Sequence, residues 1–459
     1  MSQSNRLKLK DKCIYGLAGI GDGTAYCMVA TFLMFFLTSV AGIAPAPAGT
    51  IVAIGSLWDV CAGPFVGYLS DNCRSRFGRR RPFIFVGAIP LALGTALLFT
   101  AVDFSPAMKA IFYGVVIIIY WSGFSCFFVP YAALGSELTT DYDERTSLRG
   151  FTSVCNSIGN ILGTVMPSIF VGYLMDAGCS TESSWSLTAT GIAIFSGAAV
   201  MITALGTGNK DVPRTEADKT SFNLKHMFCE YLEILKLKPM LILVLVSVLC
   251  LTGLTMFTAD RLYFFTYVGG YSQKQISFIL LIGCLSGFLA PPLISLIIKF
   301  MDRKSAFIAV LGTMSILIVV FRFWEITTMW QMLVLMFIFG IGYMSYWQLL
   351  PTLVYDICEY DEYVNGKQRG GELLSLQGLA EGLAEALGSQ LLGILLQIAG
   401  FISEAKTQSA GALAGVHNCM LVFPSILILI SCVVMWRYPI TREKFKQIQK
   451  ELEERKSDA

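Results

Sequence analysis

Twelve apolar stretches, each about as long as the roughly 17 to 25 residues that cross a bilayer, leave this 459-residue chain few folds to adopt. They fall near residues 13–40, 48–70, 82–102, 108–136, 150–175, 185–207, 239–268, 274–298, 305–324, 328–356, 371–400 and 411–437. Hydrocarbon offers no water to backbone amides, so each run must close its hydrogen bonds on itself as a helix or join a closed barrel. Runs this long and unbroken read as helices, and the chain as an all-α membrane protein. Only 14% of its residues are charged, against about 25% in a soluble domain.

The segment from Ser70 to Pro82 fixes orientation. It carries five arginines within eight positions between the second and third runs. Each arginine would cost roughly +2.5 to +3.5 kcal/mol at the membrane centre, so this loop stays on the cytoplasmic side. About 28 Lys and Arg side chains fall on that side and about four on the other, which places both termini in the cytoplasm. A basic loop, Lys299 to Lys304, lies between the second and third runs of the C-terminal half, as the arginine loop does in the N-terminal half. Such recurrence marks an internally duplicated membrane protein.

The division expected is a six-helix bundle over 1–207, a cytoplasmic linker over 208–238, a second six-helix bundle over 239–440 and a cytoplasmic tail over 441–459. The Ser221 to Lys238 part of the linker is amphipathic enough to lie along the membrane surface. The first apolar run is too long for a signal peptide and is expected to be retained. Glycines four residues apart, Gly159 with Gly163 and Gly378 with Gly382, suit close helix packing. Most of the 13 cysteines lie in apolar runs as small hydrophobes, and no Cys/His spacing suits a metal. The net charge of +2 is sorted by location rather than massed into a nucleic-acid face.

Ionisable groups inside the runs are the functional candidates, because an unpaired charge there is costly. Asp59 follows Trp58 midway along an apolar helix and is suited to bind a proton or Na⁺. Asp22 lies among Gly16, Gly19, Gly21 and Gly23, where it could accept hydrogen bonds from paired hydroxyls or form a salt bridge to another helix. Glu381 and Glu385 share a helix face and could titrate as a pair, or bind Arg149 or Arg261. Asp260 and Arg261 point about 100° apart and read as pairing with other helices. Aromatic side chains such as Tyr26 and Trp347 could stack on a sugar ring or simply pack. Asp71 and Arg79 of the arginine loop, with Asp143 and Arg145, read as gating salt bridges.

These residues resemble the glycoside-pentoside-hexuronide:cation symporters of the major facilitator superfamily over nearly the whole length. The matching marks are Tyr15-Gly16, Trp58-Asp59 with Pro64, and Ser70-Asp71 through the arginine loop to Pro82. They continue with Pro130-Tyr131, Glu137, Asp143-Glu144-Arg145, Asp356 to Tyr363 with Gly366 and Arg369, and Tyr438 to Thr441. The arginine loop is also similar to that of plant sucrose transporters, and the length and ending to bacterial melibiose and glucuronide carriers.

The resemblance implies two six-helix bundles, a central sugar site and alternating access driven by a co-transported cation. It places the cation on Asp59 and the sugar near Trp347; Asp22, Tyr26, Glu381 and Glu385, read from the residues themselves, and Arg149, which lies within a few residues of the family's arginine early in span 5, are the further substrate-binding candidates. The departures are informative. Where sodium-using members carry more polar ligands a turn beyond the aspartate, this chain has Ala62 and Gly63, so a proton is favoured over Na⁺. The family's span 1 acid falls on Gly23, its span 4 acid near Phe128 and its span 11 lysine on Gly382. A pocket that lost a lysine and gained carboxylates should disfavour anionic hexuronides.

The expectation is a cation-coupled sugar or glycoside symporter, not an enzyme, with no cofactor beyond the co-transported ion. It would sit in the plasma membrane, the inner membrane of a Gram-negative cell, as a lipid-embedded monomer with no nucleic-acid partner. The alternative is a transporter of a cationic or lipid-like small molecule on the same fold.

Overall fold

A computed structural model describes residues 7–75, 77–139, 141–207, 224–324, 326, 328–405 and 407–457, without the side chains of Ser136, Tyr142, Asp143, 224–228 and 456–457. Among these residues there is no strand, and twelve segments are long and apolar enough to cross a membrane. They divide into two compact units.

The first unit is Met1–Phe222 with Tyr271–Phe278 and Phe401–Gln408. It holds α1 (Leu9–Ser39), α2 (Pro45–Asp71), α3 (Arg81–Leu98), α4 (Pro106–Glu137), α5 (Tyr142–Asp176) and α6 (Thr181–Gly206). Prolines at the first turns of α2, α3 and α4 give up an amide that no helix start could bond. Asp141 and Ser180 cap α5 and α6 by accepting from the amides of Glu144 (2.9 Å) and Ser183 (3.2 Å). In this unit α1 packs along α5 and α6, α3 along α4 and α6, and α2 along α4. Gly159 and Gly163 let α5 lie directly on the Ile20 and Thr24 carbonyls of α1.

The second unit is Asn223–Gly270, Ile279–Gly400 and Ser409–Ala459. Its helices are α7 (Leu224–Leu235), α8 (Lys238–Tyr263), α10 (Ala290–Phe300), α11 (Arg303–Phe323), α12 (Met329–Asn365), α13 (Gly370–Ile398), α14 (Ala410–Leu421), α15 (Phe423–Met435) and α16 (Arg442–Ser457). Helix α9 (Gln273–Gly287) starts among the residues of the first unit. Helix α8 packs on α13 and α15, and α11 on α12 and α15. Beyond Tyr263, α8 continues as a π-helical turn, Phe264–Val268.

Several expectations need correction. The eighth and twelfth runs are each two helices, α9 with α10 and α14 with α15, because Pro291, Pro292 and Pro424 restart the helix after a break. The tenth run is helical well past 356, to Asn365, where Gly366 at φ 66° provides the left-handed cap. Gly378 does not pack closely: a Cβ there would meet no atom within 4 Å. Of the linker, residues 208–223 lie outside the described residues, and α7 packs on α13 through a 2.7 Å hydrogen bond between Tyr231 and Ser375.

Candidate functional site

In the first unit, α1, α2, α4 and α5 bring two carboxylates within electrostatic reach of each other. Asp59 on α2 is half-buried and accepts a 2.5 Å hydrogen bond from the Ser125 hydroxyl of α4. One turn earlier on α4, Ser122 accepts from the Trp58 indole at 2.8 Å. Asp22 on α1 is buried. Asn156 on α5 donates to its Oδ2 at 3.3 Å, while its Oδ1 has no partner among the described residues. Asn160 continues the ladder, donating to Asn156 at 3.2 Å and accepting from the Cys27 thiol at 3.4 Å.

An aromatic wall adjoins the acids. Tyr26 meets the rings of Trp121 (6.1 Å) and Phe124 (5.8 Å), and Phe124 stacks on Phe128 at 5.4 Å. The buried Tyr120 hydroxyl, without a hydrogen-bond partner among the described residues, lies within electrostatic reach of both Asp22 and Asp59. Arg149 is exposed and acts on Tyr15. It lies two turns before Asn156 on α5.

The second unit has its own polar group. The Gln377 amide on α13 donates to Ser247 on α8 at 2.7 Å and to Glu381 at 3.1 Å. Tyr346 on α12 is buried within electrostatic reach of Glu381 and Glu385, and its ring meets Trp347 edge-on at 5.5 Å. The structure thus brings Glu381 and Glu385 to Tyr346, while Trp347, the next residue of α12, projects about 100° away around the helix.

The expected gating residues are largely engaged, though not all as salt bridges. Asp71 pairs with Arg80 at 3.0 Å, and Arg79 pairs with Glu137, which also binds Arg80 at 2.9 Å. The Arg145 guanidinium donates to the Thr139 carbonyl at 2.8 Å. The Asp143 side chain lies outside the described residues. Glu144 pairs with Lys12 at 2.8 Å. The second unit repeats the plan, Arg303 of its basic loop pairing with Asp356 of α12. Arg369, buried, forms a two-pronged pair with buried Asp361 (2.9 and 2.8 Å) and reaches Glu233 of α7 at 3.1 Å. The Asp361 carboxylate holds the Arg369 guanidinium above its ordinary range, and the Lys367 ammonium holds Glu233 below the usual carboxylate range.

Sequence reasoning overlooked Asn156, Asn160, Ser125, Gln377 and Ser247. A faint signal existed for the asparagines, whose four-residue spacing puts two amides on one face of an apolar helix.

A two-unit helical membrane protein with carboxylates and aromatic rings between its helices defines a secondary transporter. The sequence pattern of the MFS/sugar transport protein family matches residues 14–442, and the chain belongs to that family, of the glycoside-pentoside-hexuronide:cation symporter type within the major facilitator superfamily. It is a multi-pass membrane transporter, not an enzyme. Among relatives, the uncharacterized symporter YnaJ of Bacillus subtilis (strain 168) is 25% identical, covering 98% of this chain and 96% of its own. The glucuronide carrier protein homolog of Escherichia coli (strain K12) is 26% identical, covering 96% and 95%. Among solved structures, a D-xylose-proton symporter superposes with a TM-score of 0.63 at 15% identity over 94% of this chain and 97% of its own, a likeness of fold.

Proposed function

We propose that the protein is a proton-coupled symporter of a neutral sugar or glycoside, working by alternating access as a monomer in the plasma membrane, with both termini cytoplasmic. The observation that carries this reading is Asp59 held by Ser125 beside the aromatic wall of Tyr26, Trp121 and Phe124. A carboxyl with one hydroxyl partner can take up a proton. A hard cation needs a cage of oxygens, and Ala62 and Gly63 add no side-chain oxygen a turn further on. The rings suit the apolar face of a sugar, and Asp22 can accept from its hydroxyls.

The relative named as a glucuronide carrier homolog supports a glycoside cargo. Here Gly382 stands where a lysine would meet an anionic sugar, and Glu381 and Glu385 flank it, which supports a neutral one. The test is uptake by reconstituted vesicles under an imposed pH gradient or an imposed Na⁺ gradient. Neutral methyl glycosides should accumulate with the pH gradient alone. Strong proton-driven uptake of a glucuronide would refute the neutral-sugar reading, and uptake of amines with no glycoside would move the protein to a different cargo class.

A further inference from the structure

The second unit carries an acid for which the coupling scheme above has no use. Asp260 lies in the last turn of α8, fully enclosed, and neither carboxyl oxygen has a hydrogen-bond partner among the described residues. Removing a carboxylate from water without returning a hydrogen bond or a counter-charge is among the most costly substitutions a helix bundle can carry. An apolar side chain of similar volume would pack there at no such cost. The acid has no structural return in the enclosed state, which points to another state of the protein in which it is used.

Its setting supports movement. Directly after it the hydrogen-bond pattern widens, with the Gly269 amide reaching the Phe264 carbonyl at 2.9 Å, and such π-turns recur at functional sites. The elements packed on α8 carry these titratable groups among the described residues. The buried Cys419 thiol of α14 lies in its field. His417 of α14 acts with Arg322 of α11, whose guanidinium donates to Asn418 at 3.1 Å. Cys432 of α15 neighbours Cys250, Tyr346 of α12 lies within electrostatic reach of Glu381 and Glu385 of α13, and Glu233 of α7 pairs with Arg369. Arg261 projects about 100° away around α8.

We propose that Asp260 is a second proton-binding site, loaded while enclosed and emptied to water when the π-turn end of α8 rearranges during transport. This rests on the reading of the protein as a proton-coupled symporter. The proton comes from bulk water and returns to it, so no further reactant is needed.

Two measurements test it, one independent of transport. Infrared spectra of purified protein at pH 7, wild type minus Asp260→Asn, should contain a carboxylic-acid C=O band that the variant lacks; its absence overturns the proposal. In vesicles with a one-unit pH gradient, Asp260→Asn should accumulate a neutral methyl glycoside about tenfold less than wild type, the factor one proton contributes across one pH unit. Counterflow exchange should be retained. A band at Asp260 with undiminished accumulation means a static buried acid and overturns the cycle of loading and release. Should Asp260→Asn not fold, Asp260→Glu is read instead: a shifted acid band with accumulation kept supports the site, and an unshifted spectrum overturns it. Should wild type accumulate no glycoside, the symport reading fails by itself, while the infrared band still decides whether Asp260 holds a proton.

Discussion

Gly23 decides what its neighbours on α1 can be. A Cβ there would sit 2.8 Å from the Asn156 carbonyl oxygen and 2.9 Å from the Asn160 amide, so α5 occupies the place where the family pattern has an acid. The acid of this chain is one residue earlier, at Asp22, and receives Asn156 instead. Restoring the family residue with Gly23→Asp should therefore overpack the α1–α5 contact by about 1–3 kcal/mol or more. The melting temperature in detergent should fall, and no gain in hexuronide uptake should follow. Gly378→Ala meets open space and should be neutral or stabilising by up to roughly 1 kcal/mol, since alanine is the better helix former. The same spacing drew attention to both glycine pairs, but spacing cannot say which face of a helix meets a neighbour. A similar contrast holds among charges. Asp361→Asn would leave Arg369 buried against a neutral amide and should cost about 3–5 kcal/mol, whereas Glu233→Gln removes only an exposed partner and should leave the melting temperature nearly unchanged.

At the scale of elements, hydropathy marks where a helix leaves hydrocarbon and not where it ends. The charged run Asp356 to Tyr363 read as a boundary, yet α12 carries it for more than two further turns, until Gly366 stops it. That extension creates a docking surface. Tyr363 donates to Glu451 of α16 at 2.7 Å, Arg455 lies 4.7 Å over its ring, and Ile448 and Leu452 are buried. On the other side Lys367 and Arg369 hold Glu233 of α7. Because Glu233 is held below the ordinary carboxylate range, its contribution to docking α7 is complete above the unfolded value near 4.3 and is lost as pH falls through the lower, folded one. A nitroxide on exposed Cys229, in an otherwise cysteine-free background, should stay immobile from pH 7 to about pH 4.3 and loosen only below it. Glu233→Gln should be mobile throughout. An unchanged spectrum in that variant would show that the Tyr231–Ser375 contact alone seats the helix.

For the whole molecule, duplication was legible because topology is written in charge: basic loops at equivalent places predict equivalent partners, and Arg80 with Glu137 in one unit matches Arg303 with Asp356 in the other. The candidate acids were legible for the same reason, since a carboxylate stands out in an apolar run. The amides and hydroxyls that position them were not, because Asn156, Ser125 and Gln377 cost little in a helix and acquire meaning only from the neighbour they face. On the proposed reading, a duplicated scaffold with unequal acids gives the two units different work. If Asp59 couples the cation to the cargo, neutralising it should separate two activities that share one protein. Asp59→Asn keeps the hydrogen-bonding shape toward Ser125 but can no longer exchange a proton, so substrate-for-substrate exchange should remain within about twofold of wild type. Concentration against a gradient should fall by the share one proton supplies, about tenfold per unit of pH difference, because only differential binding of the ion can bias the two access states. Counterflow and pH-driven uptake measured on the same vesicles decide it, and pH-driven accumulation left undiminished by Asp59→Asn would remove that residue from the coupling step.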